Sequence, residues 1–318
     1  MPCAQRAEIM LHFPVGLDTK KEMKRIFSGL FLLTGLCLLR APLLFAQFSA
    51  PSVTILTTFD VPTGRETFPT GINDAGDIVG SYLRFGNEFG FERFANGKFK
   101  IIGEPPPRST TLARGINNLG IICGETGGSE GFFYDGTAFT LYDAPGSTTT
   151  IINKENDLGD FVGSATINGV VVGFASIAGQ FISLVIPGAT LTTADGINNR
   201  DEIVGRYYDA TGTYGFYRDP AGNLTYPITV QNSSFVNLNS INDRGEIAGD
   251  WADPAIGGYC HGFIMRLPHH VVSFDVAGSY NTSACDINNL GETTGYFYDF
   301  TGRGIHGFTG QLNQGGSR

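Results

Sequence analysis

One phrase recurs through this chain. It appears as "GINDAGDIVGSY" at 71–82, then as "GINNLGIICGE", "INKENDLGDFVGS", "GINNRDEIVGRYYD", "SINDRGEIAGDW" and "DINNLGETTGYFYD". Its asparagines are Asn73, Asn117, Asn153, Asn198, Asn242 and Asn288, a period of about 43 residues. The third copy carries three extra residues, Lys154 to Asn156, between its "IN" and its "DLG", so its marker shifts to Asn156 if the turn rather than the "IN" is aligned. A second signature runs in step: Gly90-Phe91, Gly131-Phe132, Gly173-Phe174, Gly215-Phe216, Gly262-Phe263 and Gly307-Phe308. A weaker third, seen in "FDVPTG", "YDAPG", "VIPG" and "FDVAG", closes the unit. Six copies of one unit in order leave few architectures open.

The fourth copy shows what the unit builds. "TADGIN" is extended, "NRDE" turns, and "EIVGRYYD" alternates with period two. "ATG" turns again before "YGFYRD", and "PAGN" leads into "LTYPITV". Strand-period runs punctuated by Gly, Asn and Asp predict antiparallel strands joined by tight hairpins. Four strands in about 43 residues is the size of a propeller blade. The expectation is an all-β, six-bladed β-propeller of four-stranded repeats. The last copy runs out after "GIHGFTG", one strand short, while "VTILTTFDVP" at 53–62 precedes the first copy and resembles "HVVSFDVAG". The N-terminal strand 53–61 is therefore expected to complete the sixth blade and close the ring, which hides sheet edges.

Within the turn, Asn73, Asp74 and Gly76 supply hairpin chemistry: Gly takes φ > 0 and Asn/Asp bond nearby backbone. Cys123 stands where other copies have Val79 and Val204, and reads as a small core residue. With Cys260 and Cys285 it makes an odd number, so there is no disulfide framework; a Cys260–Cys285 bridge and two buried thiols both remain open. Trp251 and the tyrosines Tyr82, Tyr207, Tyr208, Tyr296 and Tyr298 read as blade-packing residues, with sugar stacking as the alternative for the tyrosines.

Residues 1–46 differ in kind. From Met23 the chain reads "MKRIFSGLFLLTGLCLLRAPLLFAQ", a short basic start, an apolar run and the small residue Ala46. This predicts a secretory signal cleaved after Ala46, with Met23 as the true start. The apolar run is short for a membrane span and is broken by Arg40 and Pro42. Residues 47–312 are expected to form one propeller domain and 313–318 a flexible tail, in a monomeric protein that is extracellular or periplasmic. Removing 1–46 leaves 15 Lys/Arg and 27 Asp/Glu, a formal charge of −12. Without a basic stripe, nucleic acid and anionic lipid are disfavoured as partners.

The pattern "GIN(N/D)xGxIVGxY(Y)D", followed by "(H)GF" and "(F/Y)D(V/A)PG", resembles the HAF-repeat family of bacterial extracellular repeat proteins over residues 53–310. The resemblance implies secretion and a propeller-like fold. It carries no activity and no catalytic residues.

Candidate sites are sparse. His261 and His306 fall at the same place in consecutive units, just before "GF", where other copies carry Glu130 and Tyr214. If that position faces the channel or a rim, Glu130, Tyr214, His261 and His306 would converge on a ligand; otherwise "HGF" is a strand start with its His in solvent. The acidic turns "NDAGD" and "NDLGD" offer two or three oxygens each, too few for calcium, and read as hairpins. No nucleophile motif, phosphate loop, HExxH or sialidase-type Asp box occurs. The symmetry-breaking polar residues look few and scattered. The sequence thus points to a secreted non-catalytic binding module for protein or carbohydrate, with no cofactor and no metal. The alternatives are an extracellular hydrolase or lyase with its site on the propeller axis, and a cell-surface or matrix scaffold.

Overall fold

The computed structural model describes residues 49–103, 110–127, 129–268, 270–301 and 304–315. The signal segment 1–46, with its start at Met23, lies outside the described residues. Six four-stranded antiparallel sheets follow one another along the chain. They form a six-bladed β-propeller, with the first strand of each unit innermost. The fourth blade matches the expected order: Leu191–Ile197, Ile203–Tyr208, Thr213–Arg218 and Leu224–Ile228.

The repeated turn is held by its asparagine. Asn198 Oδ1 accepts from the N–H groups of Arg200 and Glu202 at 2.9 and 3.1 Å, and Asn73 does the same for Ala75 and Asp77. In the third blade Asn156 takes this role, accepting from Leu158 and Asp160. The true marker is therefore Asn156. Glu155 then pairs with Phe161 in the register where Ile197 pairs with Ile203.

Every innermost strand carries a bulge near its end, such as that between Ala194 and Gly196. The bulge explains the glycine of "IVG". A Cβ at Gly205 would lie 2.1 Å from the Thr193 carbonyl oxygen, and one at Gly163 would lie 1.9 Å from that of Ile151. The "GF" pair works between blades. A Cβ at Gly215 would sit 2.5 Å from Leu238 of the next blade. The phenylalanines beside these glycines, Phe91, Phe132, Phe174, Phe216, Phe263 and Phe308, are all 0% exposed. Each such ring contributes about 1.5–3 kcal/mol by leaving water.

The closing strand is Ser52–Phe59, paired with Ile305–Asn313 from Ser52↔Asn313 to Phe59↔Gly307. Closure is as expected, with the strand displaced slightly toward the N-terminus. Asn313 belongs to the sheet, so the domain runs one residue further than the sequence suggested. The weak third signature has a structural purpose. Val61, Ala144 and Val276 are buried, and their N–H groups donate to Thr67, Thr150 and Thr282 at the head of the next innermost strand.

Two hydrogen-bonded rings circle one end of the axis. In the first, each marker asparagine donates Nδ2 to the backbone oxygen of the next, from Asn73→Asn117 at 3.5 Å to Asn288→Asn73 at 2.9 Å. In the second, each following residue donates its N–H to the next one's Oδ1 at 2.7–2.8 Å. That second ring alternates strictly: Asp74, Asn118, Asp157, Asn199, Asp243, Asn289. Alternation lets the amides serve the carboxylates. Asn199 Nδ2 donates to both Asp157 and Asp243, at 3.0 and 2.9 Å. Burial would raise the Asp157 pKa, but the amides of Asn199 and Asn118 outweigh it and hold the carboxyl below its ordinary value. The acidic turns are thus spent on ring closure.

Candidate functional site on the propeller axis

The bulges turn two consecutive residues of each innermost strand toward the axis. At the first position the six blades present Thr70, Arg114, Asn153, Asp195, Asn239 and Cys285. At the second they present Gly71, Gly115, Lys154, Gly196, Ser240 and Asp286. Here the repeat breaks its own symmetry. The polar residues that look scattered in the sequence are gathered around one axial cavity of about 300 Å³. This corrects the sequence reading, which left the third marker open between Asn153 and Asn156 and so did not see that Lys154 replaces a glycine.

Lys154 and Asp286 form an ion pair at one end of this cavity. Their side chains are 12% and 1% exposed. Asp286 also accepts from the Ser240 hydroxyl and from the Ile72 N–H, the latter at 2.7 Å. Beyond the pair lies a ring of five isoleucines, Ile72, Ile116, Ile197, Ile241 and Ile287, completed by Glu155. Burial pushes the Glu155 carboxyl up to about 7, helped by the negative charge of Asp157.

Two further carboxylates stand in the cavity wall. Asp195 accepts from Thr193 and Asn153 at 3.0 and 3.2 Å, and pairs with Arg206 at 3.3 Å. Asp250 accepts from Asn237, Asn239 and Ser283 at 2.8–2.9 Å. Burial raises the pKa of both, against the pull of Arg206 on Asp195 and of the amides on Asp250. The adjacent Asp195 charge raises the Arg206 pKa in turn. Arg114 pairs with the buried Glu125 at 2.5 Å. Tyr208 and Tyr296, on second strands, add phenol groups to the lining. The charged lining residues balance, with Arg114, Lys154 and Arg206 against Asp195, Asp250 and Asp286. Two lining residues hold a buried polar atom without a partner: Arg114 Nε, a donor, and Asn237 Oδ1, an acceptor.

Glu130, Tyr214, His261 and His306 occupy equivalent places on the third strands of their blades, and none lines the axial cavity. Their contacts are local to each blade or its closing segment, as His261, His306 and Tyr214 show. His261 Nδ1 lies 2.9 Å from both carboxylate oxygens of Asp275. His306 Nδ1 lies 2.9 Å from Asp60, just past the closing strand. Tyr214 contacts Tyr207 and the Thr211 hydroxyl. Equivalent residues lie on a circle about the axis. Third strands sit roughly 10 Å further out than first strands, at about 4.8 Å per step, so their circle is wide. Trp251 is a packing residue, 3% exposed, with its indole N–H donated to Ser273. Cys123, Cys260 and Cys285 are all free thiols. Burial pushes the Cys123 and Cys285 thiols up to about 12.

No protein-family model matches the chain, and no curated protein matches it. Solved structures do. TolB from Acinetobacter baumannii aligns with a TM-score of 0.50 at 11% identity, over 79% of this chain and 66% of that one. A candidate gluconolactonase aligns with a TM-score of 0.50 at 11% identity, over 83% and 93%. A virginiamycin B lyase from Staphylococcus aureus gives 0.48 at 12%, over 80% and 84%. What the first two share with this chain at these identities is the propeller fold. Among the described residues no helix is long and apolar enough to cross a membrane.

Proposed function

We propose that the protein is a secreted, non-catalytic binding module whose axial cavity takes a neutral, polyhydroxylated ligand, a carbohydrate. The observation that carries this is the lining. It is polar throughout yet balanced in charge, with three cations, three carboxylates, the amides of Asn153, Asn237 and Asn239, and several hydroxyls. A concave site with few apolar atoms and convergent donors and acceptors suits a small polar ligand better than a flat protein surface does. A net-neutral lining favours hydroxyls over an ion. The Arg114 guanidinium, 36% exposed, and the amides of Asn153, Asn237 and Asn239 give such a ligand charged and neutral hydrogen-bonding partners. The signal-like segment 23–46 and the HAF-repeat resemblance support an extracellular setting.

A hydrolase or lyase at the same place is the second reading, favoured by the raised pKa values of Asp195 and Asp250. Against it, both oxygens of each carboxylate already accept hydrogen bonds from protein groups. A general base needs an oxygen free to reach the proton it abstracts. Binding of the purified protein to a glycan array separates these readings. Retention of neutral saccharides that is lost in Asn237→Leu, with the saccharide recovered intact, supports a binding module. Shortened or eliminated products point to catalysis. No retained saccharide removes the carbohydrate reading.

A further inference from the structure

The axial cavity has a neighbour. A second cavity of about 210 Å³ lies beside it, and Thr70, Arg114 and Tyr296 line both. The two differ in chemistry. The axial one is walled by charged groups and amides, whereas the second adds the apolar Phe68, Leu112 and Ala113, with Ser81 and Glu88. Phe68 meets Tyr296 edge-on, with ring centroids 5.5 Å apart, which makes an aromatic corner between the compartments. Arg114 stands at the junction. Its Nη2 is taken by Glu125, and its Nε is the buried donor without a partner.

We propose that the two cavities are one site for a bipartite ligand: a hydroxylated sugar ring on the axis, joined to an apolar aglycone that lies against Phe68 and Leu112. This rests on the carbohydrate reading of the axial cavity. A glycosidic linkage fits the junction, because its oxygen is an acceptor and the partly exposed guanidinium of Arg114, which lines both cavities, is a donor group there. A free sugar would fill only the polar half and leave the Phe68–Leu112 wall wet. The specificity of the site would then lie in the pairing of the two halves, since neither polar contacts nor apolar area alone would select the whole molecule.

Titration calorimetry on the purified protein tests this with methyl and phenyl β-glycosides of glucose, galactose and mannose. Burying a phenyl ring is worth about tenfold in Kd or more, so the phenyl glycoside should bind at least about tenfold tighter than its methyl counterpart. Leu112→Asn should erase that gain and leave methyl-glycoside binding unchanged. Ser81→Phe, at a residue that lines the second cavity and not the axial one, should do the same and guards against a folding defect in the first variant. Equal affinities for the methyl and phenyl compounds would overturn the bipartite site while leaving the axial site standing. So would a phenyl gain that survives both variants. Binding of neither compound would overturn both readings.

Discussion

Lys154 of the third blade pairs with Asp286 of the sixth, directly across the propeller axis. In a ring of six these blades are opposite, so the bond spans the channel. The same carboxylate accepts from Ser240 in the fifth blade and from the Ile72 N–H in the first. One side chain therefore ties four blades together and ends the polar cavity on that side. A lysine can reach because its position is a glycine in three of the other blades, which leaves room for a long side chain at the axis.

Breaking the pair should be costly. Lys154→Met leaves Asp286 buried without its counter-charge, a change worth about 3–5 kcal/mol. Urea unfolding should show this loss. The double variant Lys154→Met/Asp286→Asn should recover much of it, because no uncompensated charge remains. A double variant no more stable than the single would mean that the pair is not what holds the axis.

Glu155 should make stability pH-dependent. Its carboxyl is pushed up to about 7 when folded, from an ordinary value near 4.5. The folded state thus holds the proton more tightly than the unfolded state. The favourable contribution is complete below the unfolded pKa and is lost as pH rises through about 7. Glu155→Ile restores the residue type of the other five blades. It should raise the urea midpoint more at pH 8 than at pH 5, and an equal gain at both would refute a buried, titrating Glu155.

The alternating Asp/Asn ring should tolerate neither like pair. Asn199→Asp removes two amide donors and sets three carboxylates side by side at Asp157, position 199 and Asp243. Hydrogen bonds to charged groups are worth about 1.5–3 kcal/mol each, so a loss of at least about 2 kcal/mol is expected. The deficit should shrink in high salt, which screens the repulsion. A deficit insensitive to salt would assign the loss to the missing hydrogen bonds alone.

Ring closure should depend on the N-terminal strand. Deleting residues 53–61 removes the partner of Ile305–Asn313 and uncovers an edge with exposed N–H and C=O groups. The truncated protein should aggregate or unfold without a sharp transition. Cooperative melting at the full-length temperature would show that closure contributes nothing. Asp60→Asn is a milder test, since it weakens only the contact to His306 beside the same strand. A loss below about 1 kcal/mol is expected there, because both groups are partly exposed.

The fold was legible because each signal was local or strictly periodic. The "IN…G…IVG" turn, the "GF" pair and the spare N-terminal strand each state a requirement that every blade must meet, and Asn198, Gly215 and Phe216 meet it in the same way as their counterparts. The Asp/Asn alternation was also written in the chain, as "ND" and "NN" taking turns, but its meaning needed the ring. Six residues about 43 positions apart become neighbours only when the last blade meets the first. The site was far less legible. Sequence reasoning looked for repeat-equivalent residues and found Glu130, Tyr214, His261 and His306, which the structure spreads over a wide circle of third strands. The cavity instead uses equivalent positions at which the copies carry different residues. Arg114, Asp195, Asp250 and Asp286 come from four blades and from both first and second strands. Lys154 and Glu155 were hidden because the "IN" of the third copy, Ile152-Asn153, lies three residues before the true marker Asn156 and is not the counterpart of the others. By itself, then, the sequence determined the blade, its number and its closure, because backbone turns and close packing read only nearby residues. The tertiary structure alone decided which side chains meet on the axis, because bulge and register aim each one and residues as far apart as Thr70 and Tyr296 share one cavity.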